Sequence, residues 1–377
     1  MDEQRSAQDA LAARNNERAQ IIFFGWGKAA TKCLEVLFRE YPGQFDLTIV
    51  SHTAQDDENQ LDTKLAELCG EQPGASSSGT TNIASTDGEN KVAFLTTATD
   101  LVEQERTQTT NSTATGSGSS AAPSTSTVTT GAPDADKVAS SGQRIETLYF
   151  HGGQHVCHLF PDSIAPEKSE ALLLQNRNAN FDLMMSVSYR KRINCLHLAP
   201  YRVNFHPSLL PKHRGCFTGF WAIFDGDTET GVTCHHMEEK FDRGKILSVE
   251  KLLLTHQETS KSLYDALLPV TQACFLNVLR MFFESKTASA AAEKADVSYS
   301  LPEGADQVGE PSYHRRKLPH SGVIQPDWAE EKVERFIRAM TFPPHEGAVF
   351  IDANQKRYPC DTLSDYREAI AANKSTT

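Results

Sequence analysis

The hydrophobic pattern divides the chain into ordered runs separated by stretches with almost no apolar residues. AQIIFF (19–24) is a continuous apolar run ended by Gly25, the pattern of a strand buried on both faces. From Lys28 to Glu40, Ala29, Ala30, Cys33, Leu34, Leu37 and Phe38 fall on one helical stripe. FDLTIVS (45–51) reads as a second strand. Strand, helix and strand in so short a span make a βαβ unit, which predicts an α/β fold with a mostly parallel, doubly wound sheet.

The pattern then lapses. Residues 54–143 are rich in Ser, Thr, Gly and acids, with a short helix at 61–68 and a strand at 92–95 as the only candidates for order. Such a segment cannot offset its ordering entropy by apolar burial, so it is expected to be a disordered, removable insertion. Patterning returns with RIETLYF (144–150), a helix near 165–177, the strand DLMMSVS (182–188) and the short strand VNF (203–205). A helix at 217–226, strands at 231–237 and 245–254, and a long helix over 260–283 kinked at Pro269 follow. Residues 286–311 read as a second low-complexity linker. The last unit, 312–377, holds the helix WAEEKVERFIRAM and the turn and strand FPPHEGAVFI. Residues 1–18 read as a charged tail, and no internal repeat is found.

Composition narrows the function classes. The formal net charge of −12 argues against a protein that grips phosphate backbones, though it leaves room for one local basic cleft. No run approaches the roughly 18 apolar residues of a membrane span, and the acidic, apolar-poor N-terminus has no signal core. The eight cysteines form no CxxC pair, which suggests reduced thiols and a cytoplasmic protein.

Three segments carry candidate chemistry. Gly25-Trp26-Gly27-Lys28-Ala29-Ala30 is a GxGxxA string between strand and helix, the context of a dinucleotide fingerprint. The acidic residue such a site wants after the second strand is missing, with Ser51, His52 and Thr53 there instead. An NAD-dependent oxidoreductase is therefore one alternative, and a tight turn into a packed helix is the other. HGGQHVCH (151–158) gathers three His and one Cys but matches no zinc spacing, so no metal is expected. The densest segment is 203–247. Asn204 and His206, two apart on one strand, point to the same face, and Asp242 sits in a polar turn. An amide donor, an imidazole and a carboxylate suit attack on a carbonyl, where charge grows on oxygen and a proton must move. Read singly, each is equally a structural residue. His235 and His236 alternate on a predicted strand, so only one can face a cleft. Asn204, His206 and Asp242 are expected to converge at the carboxyl edge of the sheet.

This segment resembles the folate-dependent formyltransferase family, most closely its sugar nucleotide N-formyltransferases. The family's stretch Asn-x-His-Pro-Ser-Leu-Leu-Pro followed by Arg-Gly reads here Asn204-Phe205-His206-Pro207-Ser208-Leu209-Leu210-Pro211, then Arg214-Gly215. Its Gly-Val-Thr strand and Asp-x-Gly loop read Gly231-Val232-Thr233 and Asp242-Arg243-Gly244, with Arg243 where the family often has Thr. The blocks KHRGCFTGFWAIFDGDTETGVTCHHM and RRKLPHSGVIQPDW…VERFIRAMTFPPHEGAVF resemble the sugar-modifying branch.

The resemblance implies a Rossmann-like formyltransferase domain over 19–285, carrying the insertion, and a small C-terminal α+β subdomain over 312–377. It implies transfer of a formyl group from N10-formyltetrahydrofolate to a primary amine, without a metal. His206 and Asn204 would stabilise the oxyanion, and Asp242 would bias His206 and help remove the amine proton. Ser208, Leu209, Leu210 and Pro211 would line the folate's path, and the 186–193 loop, with Ser188 and Tyr189, would touch the pterin through main chain. The implied acceptor is a nucleotide-linked amino sugar, with a dTDP-linked amino-dideoxyhexose as the specific expectation. Methionyl-tRNA formylation is the alternative within the family. The acidic chain and the short unit after 311 count against it, so no nucleic acid or membrane partner is expected. Sugar-modifying relatives suggest a homodimer. His235 and His151 are expected to matter far less than the trio. Arg335 and Arg338, three apart on the last helix, suit equally a solvated helix face and a phosphate or inter-domain contact.

Overall fold

The structure, a computed structural model, describes residues 18–51, 68, 144–151, 154–160, 181–288 and 297–374. The tail, the insertion with its two candidate elements and the helix expected near 165–177 lie outside these residues, save for their end residues Arg18 and Leu68. The first unit forms as the pattern predicts, with β1 (Ala19–Gly25), α1 (Gly27–Glu40) and β2 (Phe45–Val50). Ile21 and Phe23 enter one apolar cluster and Ile22 and Phe24 another, because a strand covered on both faces needs apolar side chains at every position. Gly25 is required by proximity: a Cβ there would lie 2.8 Å from that of Ala30, so the glycine lets α1 close onto β1.

Further along come β3 (Arg144–His151), β4 (Gln154–Phe160), β5 (Leu183–Val187), β6 (Tyr201–His206), β7 (Arg214–Gly215), α2 (Thr218–Phe224), β8 (Glu229–His236) and β9 (Ile246–Leu253). The main sheet has eight strands in the order β3-β4-β2-β1-β5-β6-β8-β9. The run from β4 to β6 is parallel, and β3, β8 and β9 join antiparallel to their neighbours. Within HGGQHVCH, His151 thus ends β3 and Gln154 to His158 belong to β4, which pairs antiparallel with it.

The long helix α3 (Ser260–Glu284) starts at a capping box between Thr259 and Ser262 and continues through Pro269. By length and composition α3 could cross a membrane, with a mean hydropathy of 1.5 over its most apolar window, which departs from the expectation drawn from run length alone. Its Leu263, Leu267, Phe275, Val278, Leu279 and Phe282 instead join α1 and the sheet in the larger core cluster.

The expected linker over 286–311 is corrected by the structure. The short strands β10 (Thr287–Ala288) and β11 (Val297–Ser298) pair with each other. Beyond them, Tyr299 stacks on Phe282 at 4.8 Å, Leu301 is buried, and Ala305 exchanges two backbone hydrogen bonds with Ile246. The segment is a strap that continues into β12 (Tyr313–His314), which pairs with β7.

The last unit contains α4 (Glu330–Met340), the hairpin of β13 (Ala348–Ile351) and β14 (Arg357–Cys360), and α5 (Leu363–Lys374). It has no core of its own. Phe336 of α4 lies 5.7 Å from Phe220 and 5.5 Å from Phe224 on α2, ring to ring, and the same cluster runs on into the main domain. Arg335 Nε donates to Phe224 O at 3.0 Å, and Arg338 Nη1 to Glu258 O at 2.9 Å. Both arginines therefore make inter-element contacts rather than standing free on a solvated face. Removing the Phe336 ring should cost the whole chain about 3–5 kcal/mol, the scale of a Phe→Ala cavity. Urea unfolding of Phe336→Ala should show one transition shifted to lower denaturant; loss of the C-terminal unit alone in an earlier, separate step would contradict the shared core.

Candidate active site

Alternation on β6 buries Val203 and Phe205 in the larger cluster, so Asn204 and His206 stand on the opposite face. The antiparallel register of β6 with β8 sets Asn204 opposite His235 and His206 opposite Thr233. The chain leaves β8 at His236 and returns over this face, carrying Asp242. Convergence at a carboxyl edge is thus not what unites the three. β8 runs antiparallel, and its following loop folds back across the sheet face.

Asp242 and the two imidazoles are almost wholly buried. Asp242 Oδ1 lies 3.5 Å from both His206 Nδ1 and His235 Nε2, and Oδ2 accepts the Gly215 N–H at 2.8 Å. His206 Nε2 donates to the carbonyl of His213 at 2.8 Å. His235 Nδ1 donates to its neighbour's carbonyl, His236 O, at 2.8 Å, which leaves Nε2 to accept the Asn204 amide N–H at 3.2 Å in the neutral ring. His235, expected to matter far less than the trio, touches two of its members. The alternating pattern showed that one of the two histidines faces inward. Only the strand register showed which, and against what.

Burial disfavours the charged forms of both Asp242 and His206. For Asp242 that penalty is outweighed by His206, His235 and the Gly215 N–H, and its carboxyl is held down at about 2. For His206 burial prevails over the attraction of Asp242 and the bond to His213 O, and its pKa is lowered. The resting state is an ionised carboxylate beside a neutral imidazole, whose Nδ1 is free to accept a proton from a reacting group.

Two glycines are dictated by this geometry. Gly215, at φ +90, gives its N–H to Asp242 while a Cβ would meet His314 O at 2.1 Å. A Cβ on Gly244 would meet His236 O at 1.9 Å. Asp242 itself is left-handed at φ 55, uncommon for a residue with a side chain.

The remaining expected contacts divide. Ser208 has no exposed surface, and its hydroxyl donates to Lys212 O at 2.7 Å, so it braces the turn rather than lining a ligand path. Leu210 is buried, and its N–H donates to Thr233 Oγ1. Leu209 lines a cavity of about 390 Å³ with Lys212, His213, Asp227 and Thr230. Pro211 gives its carbonyl to Ser312 N–H, and its ring edge lies beside Gly309 of the strap. Ser188 is exposed at φ 55, and the Tyr189 ring meets Phe24 edge-on at 5.2 Å. That loop approaches the Asp242 loop where Arg192 lies 6.0 Å from the Phe241 ring. Phe217 and Phe241, beside the Arg-Gly turn and Asp242, are exposed aromatic rings that the sequence reading passed over. At the glycine turn, Arg190 stacks 3.4 Å from the Trp26 ring at the head of α1.

The pH behaviour follows from these signs. Since His206 resists protonation when folded, stability falls as pH drops below about 6.5, where the unfolded chain takes up a proton that the folded one refuses. A carboxylate neighbour raises an imidazole pKa, so Asp242→Asn should lower that of His206 further. NMR titration of the His206 ring in both proteins tests this; an upward shift in the variant would refute the assigned contact.

Comparison with known proteins supplies the lineage. The formyl transferase family profile matches residues 91–279, half of the chain. The chain is 38% identical over 197 residues to GDP-perosamine N-formyltransferase of Brucella melitensis, spanning 51% of this chain and 70% of that one. It is 31% identical over 165 residues to a bifunctional polymyxin resistance protein of Wigglesworthia glossinidia brevipalpis, covering 43% of this chain and 23% of that one. Among solved structures, a sugar N-formyltransferase from a Shewanella species matches 91% of this chain and 97% of its own at a TM-score of 0.50 and 12% identity, a likeness of fold. With the Asn-x-His and Asp-x-Gly segments brought together on one sheet face, the chain belongs to the formyl transferase family.

Proposed function

We propose that this protein transfers the formyl group of N10-formyltetrahydrofolate to the primary amine of a nucleotide-linked amino sugar. The observation that carries the acceptor class is the 38% identity to an enzyme named for GDP-perosamine, over 70% of that enzyme's length. That name carries GDP, and the dTDP-linked sugar expected from the sequence stays within the proposal as the other carrier.

Asn204, His206 and Asp242 are the proposed catalytic groups. The amine nitrogen attacks the formyl carbon, a C–N bond forms, and the bond from that carbon to N10 of the folate breaks. The amine loses a proton and N10 gains one. Asn204 is more exposed than its neighbours and retains a second amide N–H beyond the one given to His235, so it suits the growing charge on the formyl oxygen. Neutral His206, paired with ionised Asp242, suits receipt of the amine's proton. For the donor, Leu209 and Pro211 of the turn, the 186–193 main chain and the exposed rings of Phe217 and Phe241 offer apolar walls. Ser208 serves as support.

Two experiments test the reading. Incubation with N10-formyltetrahydrofolate and a panel of GDP- and dTDP-linked 3- and 4-amino sugars should add one formyl group to at least one of them, read by product mass. Salt-sensitive formylation of initiator methionyl-tRNA, with no sugar product, would overturn it. His206→Ala, Asp242→Ala and Asn204→Ala should each lower kcat by roughly a hundredfold or more with little change in folate affinity. His235→Ala should lower kcat by an intermediate factor of about ten, the cost of an unheld amide rather than a lost proton acceptor. Near-normal turnover in folded His206→Ala would remove the site assignment.

A further inference from the structure

The strap between β11 and β12 is bonded to both segments that support Asp242. At its start, His236 Nε2 donates to Pro302 O at 2.9 Å, and Ala305 pairs with Ile246 at the entry to β9. At its end, His213 N–H donates to Ser312 Oγ at 2.7 Å, Arg214 N–H to Ser312 O at 2.9 Å, and Cys216 N–H to His314 O at 2.9 Å. His314 stacks on Trp221 at 4.1 Å, which anchors that end to α2. Between these ends sits Gln307. Its Nε2 donates to Asp242 O and to Gly244 O, both at 2.9 Å. Its Oε1 accepts from Arg214 Nε at 3.1 Å and from Nη2 at 2.6 Å.

We infer that Gln307 is a positioning residue for the reaction: its amide fixes the backbone of the Asp242 loop and thereby aims the carboxylate at His206 and His235. The inference rests on the proposed role of Asp242. Three features support it. The left-handed conformation of Asp242 must be imposed by its surroundings, and Gln307 is the side chain that binds the carbonyls at 242 and 244. The same amide grips Arg214, whose neighbour Gly215 gives Asp242 its N–H. One side chain therefore ties together the loop that carries the carboxylate and the turn that holds it. The chemistry also needs glutamine. One group must offer two N–H donors to two carbonyls and an acceptor to a guanidinium. Glutamate has the length but no donors, and asparagine is one methylene short. Gln307 is only part-buried, and its neighbour Val308 is 86% exposed, so its replacement opens no core cavity.

The test compares Gln307→Met, which removes all four bonds at similar length, with Gln307→Glu, which keeps the acceptor for Arg214 and loses both donors. With the panel's productive acceptor, each should lower kcat by roughly tenfold to a hundredfold, the scale of a misplaced catalytic group, with the donor KM little changed. In an Asp242→Asn background Gln307→Met should add little, because the two act through one group. A second readout needs no acceptor: the His206 ring resonances should move in Gln307→Met toward those of Asp242→Asn. Unchanged kcat and unchanged His206 resonances in a folded Gln307 variant would overturn the inference, as would equal losses in both backgrounds. Failure of the underlying reading looks different, since Asp242→Asn would then itself keep its kcat.

Discussion

A carboxylate buried as deeply as Asp242 stays ionised only if its surroundings replace the water it has lost. The Gly215 N–H does so for one oxygen, and the other lies 3.5 Å from two imidazoles, each group coming from a different part of the chain. That requirement explains much of the local structure. Gly215 must lack a side chain so that its N–H reaches the carboxylate while its other side lies against His314 O. Gly244 must lack one so that the loop can return over His236. The strap then closes over the loop, and its bonds to both supports keep the parts in register.

The state of His206 is governed by burial rather than by its carboxylate neighbour. Burial holds its imidazole neutral, which leaves Nδ1 without a proton while Nε2 donates to His213 O. The proposed transfer, in which an amine gives up a proton, needs such an acceptor. His235 completes the arrangement from the opposite strand. Its tautomer is set by His236 O, and its free ring nitrogen orients the Asn204 amide.

Rigidity around the site comes from packing at a distance. The C-terminal unit shares one apolar cluster with the main sheet and presents Phe336 to α2, the helix that follows the Arg-Gly turn. Arg335 and Arg338 secure the ends of neighbouring elements through backbone carbonyls.

Local pattern determined much of this protein. The apolar run of β1, the stripe of α1 and the run of β2 foretold the parallel sheet, because strand and helix periodicities are set by neighbours in sequence. The spacing of Asn204 and His206 placed them on one face for the same reason, and the resemblance of the Asp242-Arg243-Gly244 loop pointed to Asp242. Tertiary structure alone decided the rest. His235 joined the site through the register of two antiparallel strands, a choice that no local spacing encodes. Ser208 lost its ligand role because the turn folded inward, and the supposed linker became a strap. Gln307 acts on a residue 65 positions away, and a lone glutamine in a polar stretch carries no mark of the partners that folding will bring to it.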